Sequence, residues 1–230
     1  MEEGKTTKMI KAVLLDMDGT IFDTEWLYAR TLSQAGKEMG VDIDFEAEYL
    51  DIAGKSLEKI YAMVRERHGK DVPIEEIFER RWAFVDVELN RTGLPPKKGF
   101  PEVLGAFSKM GLSLAVASSS PRERIERYLS ISGYASYIDL IVSCDEVREG
   151  KPSPDVFLHC AKGLGVSPEE CVVVEDSVNG VVAGIRAGMK TVMIPDIFPC
   201  PEELRDKVWH CLDTAEPLPS LIAAYNETEA

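Results

Sequence analysis

Short runs of aliphatic residues recur along the chain at Ala12–Leu15 (AVLL), Leu112–Ala117 (LSLAVA), Ile138–Val142 (IDLIV), Cys171–Val174 (CVVV) and Thr191–Ile194 (TVMI). Runs this short and rich in Val, Ile and Leu predict strands buried on both faces. Between them apolar positions return with helical spacing over Pro101–Met110, Pro121–Ser132, Pro154–Leu164 and Val178–Ala187. These segments open near Pro or Ser, and Gly111, Gly133, Gly165 and Gly188 stand where a helix would close. Strand alternating with helix predicts an α/β fold built on a doubly wound parallel sheet with a Rossmann-like core.

Residues 25–95 break that rhythm. They hold no buried strand pattern, only amphipathic helical stretches such as Leu57–Arg67 and Ile74–Leu89, and they close on Pro95-Pro96. The expected organisation is a core of residues 1–24 and 96–230 with an all-helical cap, 25–95, inserted after the first strand.

Composition narrows the classes. The 230 residues are 45% hydrophobic and 29% charged, enough to bury a core without disulfides or a structural metal. With 26 basic against 40 acidic residues the net charge is −14, with −5 in the insert and −9 in the core. Nucleic acid and anionic membranes need a basic footprint, so both are excluded as principal partners. The N-terminal apolar run is soon interrupted by acid and is expected to be neither signal peptide nor membrane span, so the sequons at Asn90 and Asn226 should go unmodified. Five cysteines, odd in number and without CxxC, predict reduced thiols and a cytoplasmic location. Zinc at His159–Cys160 or His210–Cys211 is disfavoured by the ligand spacing.

Ligands of an open α/β sheet bind beyond the carboxyl ends of its strands. Asp16, Asp18, Gly19 and Thr20 follow the first strand, and Ser118, Ser119 and Ser120 the second. Lys151 follows the third after a short loop, and Glu175 and Asp176 follow the fourth. Each group alone has a plain explanation: a solvated turn for Asp-Met-Asp, a helix cap for the serines, and a helix-dipole partner for the acidic pair. Their convergence on one sheet edge points to a site. Clustered carboxylates need a cation, and hard oxygen donors suit Mg²⁺.

Asp16-Met-Asp18-Gly-Thr20, Ser118, Lys151 and Glu175-Asp176 resemble the four motifs of the haloacid-dehalogenase-like hydrolase superfamily. The helical insert resembles its C1 cap. The phrases VASSS, GKPSPDVF and VVVEDSVNGVVAGIRAG are similar to its sugar-phosphatase and β-phosphoglucomutase branch. The resemblance implies a Mg²⁺-dependent phosphatase acting on a small phosphorylated metabolite, a sugar phosphate being the favoured class. It implies that Asp16 is a nucleophile that forms an aspartyl-phosphate, and that Asp18 is its general acid and base. Ser118 would hold a phosphoryl oxygen and Lys151 would offset charge. Mg²⁺ would be held by Asp16, the main-chain carbonyl of Asp18 and Asp176, with Glu175 an outer carboxylate or alternative ligand. Gly54 and Lys55 resemble the family's specificity loop, and with Ser119 and Ser120 they are the substrate-binding candidates; an ordinary helix start capped by Ser56 explains Gly54-Lys55 equally well. Lys151→Ala is expected to abolish catalysis with little change in melting temperature.

Two other readings compete. A mutase of the β-phosphoglucomutase kind would carry a His in the first cap helix, where Tyr28 stands, and an Arg in the cap loop, near Leu57; both departures favour hydrolysis. A receiver domain also groups acids, a hydroxyl and a Lys around Mg²⁺, but it is shorter and needs no insert. The cap aromatics Trp26, Tyr61, Trp82 and Phe84 read first as packing residues. Gly180, Gly184 and Gly188 are expected to let one helix pack closely enough for the Asp176 loop to reach the metal.

Overall fold

A computed structural model describes residues 9–53, 55 and 57–229. The chain enters the sheet at β1 (Ala12–Leu15), every residue of which is buried, as its unbroken aliphatic run requires. It then leaves for four helices: α1 (Glu25–Glu38), α2 (Tyr49–Ile52), α3 (Leu57–His68) and α4 (Ile74–Thr92). The return passes through α5 (Phe100–Lys109), β2 (Ser113–Ser118), α6 (Arg122–Ser132), β3 (Leu140–Ser143) and α7 (Asp155–Leu164). Last come β4 (Cys171–Glu175), α8 (Val178–Arg186), β5 (Lys190–Met193), α9 (Glu202–Arg205), β6 (His210–Cys211) and α10 (Leu218–Glu229).

The sheet runs β3-β2-β1-β4-β5-β6, parallel throughout, so the order reverses beside β1. That reversal is the topological switch point where ligands of such sheets bind. The core forms because alternate side chains serve opposite faces. Ala12, Leu14, Ala115, Ala117 and Val173 meet Val156, Phe157 and Cys160 of α7 on one side. β6 extends the sheet beyond the five strands legible in the sequence; at two residues it is too short to carry a hydrophobic period.

Two compact units result. One holds the chain up to Phe22 together with Pro96 onward, and Asp23–Pro95 form the other. In the second, α1 packs along α4, and α3 adds to the same helix. Aromatic edges fill the seams: Tyr28 meets Trp82 at 5.4 Å and Tyr61 meets Phe78 at 5.2 Å between ring centres. Trp26, against Tyr49, remains 47% exposed. Among the described residues no helix is long and apolar enough to cross a membrane. All five cysteines are free. Burial pushes the Cys160 and Cys171 thiols up to about 12, leaving them inert packing groups.

Candidate active site

The end of β1 sets the first element. Asp16 donates its N–H to Val174 O of the neighbouring β4, so its backbone is still anchored to the sheet. The chain then folds on itself: Ile21 and Phe22 both donate to Met17 O, and Gly19 donates to Phe22 O. Gly19 takes φ +81, a left-handed conformation that a residue with a Cβ reaches only under strain. This tight loop puts Asp16 and Asp18 on one rim.

Lys151 is the hub. Its Nζ lies 2.5 Å from Asp16 Oδ1 and 2.6 Å from Glu175 Oε1, and it donates to Ala117 O at 2.9 Å. Its side chain is 5% exposed, Asp16's 10% and Glu175's 1%. Burial alone would lower the lysine's proton affinity; the two carboxylates overcome it and hold the ammonium above its ordinary range. Burial pushes the Asp16 carboxyl well up, Lys151 pulls the other way, and the charges of Glu175 and Asp18 add to the push. One ammonium does not neutralise this cluster, so the site is short of positive charge.

Glu175 is the last residue of β4 rather than a loop residue beyond it, and it is fully buried. Its Oε2 accepts from the N–H and the hydroxyl of Ser177, each at 2.9 Å, and its Oε1 accepts from Lys151. Ser177 also caps α8 by accepting from Gly180 N at 3.1 Å. A Cβ on Gly180 would lie 1.7 Å from Glu175 Oε1, so glycine here makes room for the carboxylate. The three spaced glycines therefore serve three ends. Gly180 admits Glu175, Gly184 lies against Thr191 and Val173, and Gly188 turns the chain after α8.

Asp18 accepts a 2.8 Å hydrogen bond from Ser120 Oγ. Ser120 N donates in turn to Ser118 Oγ, and Ser143 Oγ at the end of β3 donates to Ser120 O. The serine run thus reaches Asp18 through Ser120, with Ser118 buried beside it as the last residue of β2. Ser119 is exposed, its hydroxyl 3.8 Å from Cys144 Sγ. Lys55 is exposed in the helical unit, its ammonium donating to Asp51 O, and Gly54 lies outside the described residues.

Asp176 completes the rim. Its Oδ1 accepts from Thr20 Oγ1 at 3.1 Å. One oxygen each from Asp16, Glu175 and Asp176 lie within 4.8 Å of one another, a donor set suited to a hard divalent cation. Both Glu175 oxygens already accept hydrogen bonds, from Lys151 and from Ser177. At a fifth strand end Asp196, three residues beyond β5, pairs with Lys97 at 2.5 Å. In sequence it closes the run Thr-Val-Met-Ile-Pro-Asp, set off from the strand by Ile194 and Pro195.

A family model for the haloacid dehalogenase-like hydrolases matches residues 13–194. The chain belongs to that family. Among its relatives, YhcW of Bacillus subtilis is 35% identical over 189 residues, covering 82% of this chain and 84% of the relative. Hexitol phosphatase B of Escherichia coli K12 is 33% identical over 193 residues, covering 83% and 86%. The crystal structure of CbbY from Rhodobacter sphaeroides in complex with xylulose-1,5-bisphosphate superposes with a TM-score of 0.75 at 27% identity, covering 91% of this chain and 96% of that one.

Proposed function

We propose that this protein is a Mg²⁺-dependent phosphatase that hydrolyses a small sugar phosphate through an aspartyl-phosphate on Asp16. The observation that carries the reading is Lys151 buried between Asp16 and Glu175, with Asp18 and Asp176 on the same rim. Relatives named for hexitol phosphatase activity, and one crystallised with a sugar bisphosphate, support the substrate class.

An Asp16 carboxylate oxygen attacks phosphorus, and the bond from phosphorus to the ester oxygen breaks. Asp18 gives its proton to the departing alcohol, and Ser120 holds Asp18 in position to do so. In the second half Asp18 takes a proton from water as the water oxygen attacks phosphorus, which returns the Asp16 carboxylate and releases phosphate. Lys151 stays protonated and stabilises charge on the transferring group. Ser118 donates its hydroxyl to a phosphoryl oxygen. Asp16, the Asp18 carbonyl and Asp176 would hold Mg²⁺, which supplies charge neutralisation for an anion approaching an acidic site. Glu175 fixes Lys151 and Ser177 instead of ligating. We assign the choice of ester to residues 25–95.

Tyr28 packs on Trp82 and lies under the Arg81 guanidinium, so a phenol in a cation–aromatic stack stands where a mutase would need an imidazole. The test is phosphate release across a panel of sugar, polyol and nucleotide monophosphates, with and without Mg²⁺, for wild type and Asp16→Asn. Release by wild type that needs Mg²⁺ and vanishes in the variant is expected. Turnover retained by Asp16→Asn, or no release from any ester with Mg²⁺, would sink the proposal.

A further inference from the structure

Asp196 has an environment that an ordinary ion pair does not explain. Its side chain is 9% exposed, and Lys97 engages Oδ1 only; Oδ2 is buried with no hydrogen-bond partner. A buried carboxylate oxygen left unsatisfied costs free energy, and such an atom calls for a donor. Its direction supplies one. The point where a Cβ would stand on Gly19 is 2.5 Å from Asp176 Oδ2 and 3.2 Å from Asp196 Oδ2. The two oxygens therefore border one small volume, kept open because residue 19 has no side chain. A water with polar neighbours suits such a space.

We infer that Asp196 is a positioning residue of the cation site, its Oδ2 accepting a hydrogen bond from a water carried by the divalent cation that Asp16 and Asp176 hold. Lys97 orients it by gripping Oδ1, and that lysine is itself fixed because its N–H donates to Ile21 O in the loop carrying Asp18 and Gly19. A carboxylate that accepts from metal-bound water both orients the water and adds to the attraction for the cation. The fifth strand end thereby joins the other four in one site. The inference rests on the cation reading given under Proposed function.

The test measures Mg²⁺ binding by calorimetry, without substrate, on wild type, Asp196→Asn, Asp196→Leu and Lys97→Met, each checked for folding by circular dichroism and by melting without metal. Asp196→Leu removes charge and acceptor at similar volume and should raise the Kd by roughly 10- to 100-fold. Asp196→Asn keeps an acceptor oxygen and should lose less; Lys97→Met should lose least. A wild type that binds no Mg²⁺ would overturn the cation reading and this inference with it. A wild type that binds Mg²⁺ while Asp196→Asn and Asp196→Leu match its Kd would overturn this inference alone, leaving Asp196 as Lys97's structural partner. Equal weakening in those two variants would reduce Asp196 to its charge and overturn the hydrogen-bonding role. Should Asp196→Leu fail to fold, the Asn and Met variants carry the comparison: an unchanged Kd in Asp196→Asn overturns the inference, and a Kd raised above that of Lys97→Met supports it.

Discussion

The two units treat opposite charges in opposite ways. In the helical insert, Arg80 reaches Glu38 with a two-pronged hydrogen bond, and the side chains stay 50% and 43% exposed. In the α/β unit, Lys151 meets Asp16 and Glu175 with almost no exposure of any partner. A solvated pair costs little to make and contributes little. A buried pair costs its desolvation, so replacing it by apolar residues is often neutral or stabilising, and its persistence needs another reason. Under the proposed function that reason is chemical: the buried charges sit where a phosphoryl group would be handled.

Five substitutions would break or sharpen this contrast. Asp16→Asn should cut turnover roughly a thousandfold or more, as loss of a nucleophile does, with the fold retained on circular dichroism. Lys151→Ala comes next and departs from the expectation drawn from sequence. It would leave two buried carboxylates facing each other, a loss of about 3–5 kcal/mol. For a chain of this size that lowers the melting temperature by about 10 °C. An unchanged melting curve would mean that solvent reaches this cluster. Gly180→Ala should cost about 1–3 kcal/mol, because its methyl group would displace the Glu175 carboxylate. Urea unfolding and turnover should fall together, since Glu175 holds Lys151.

The smallest expected effects lie on the surface. Hydrogen bonds from Lys11, then from the Ser167 N–H and hydroxyl, hold Glu170 down at about 2 against an ordinary value of 4.5. The sign follows: the stabilisation is present above pH 4.5 and is lost as pH falls through about 2. Lys11→Ala should therefore flatten the acid-unfolding curve in that window: it lowers neutral-pH melting slightly, and the difference from wild type vanishes as pH falls through about 2. Within the same comparison Arg80→Ala should not move the melting curve measurably; a large shift would show that the insert's exposed pairs are coupled.

How legible each part was depends on whether its signal is local. AVLL and CVVV are runs of consecutive buried residues, and both appear as strands starting where the pattern starts. The core helices likewise begin and end within a residue or two of their Pro and Gly signals. The candidate site was legible as residue types at strand ends, because a parallel sheet brings those ends together whatever lies between. Contacts set by folded distance were not. Ser120 reaches Asp18 across 102 positions, and Lys97 reaches Asp196 across 99. Nothing local to Ser120 separates it from Ser119, yet one hydroxyl holds Asp18 and the other lies beside Cys144.

The joint between the units has a consequence of its own. Phe22 and Pro96 form an antiparallel bridge, Lys97 N donates to Ile21 O at 2.8 Å, and Asp23 N donates to Pro95 O at 2.9 Å. Phe22 is further pinned by Tyr134, stacked at 5.7 Å, and by the edge of Tyr128. The outgoing and returning chains are thus already neighbours, and the α/β unit sees the excursion as a closed loop whose ends it holds in place. Loop-closure entropy grows only with the logarithm of length, so that unit is nearly indifferent to how many residues the excursion contains. Such a junction is a graft point: helices could be lengthened, exchanged or replaced by a short turn over evolutionary time without disturbing the register of the sheet.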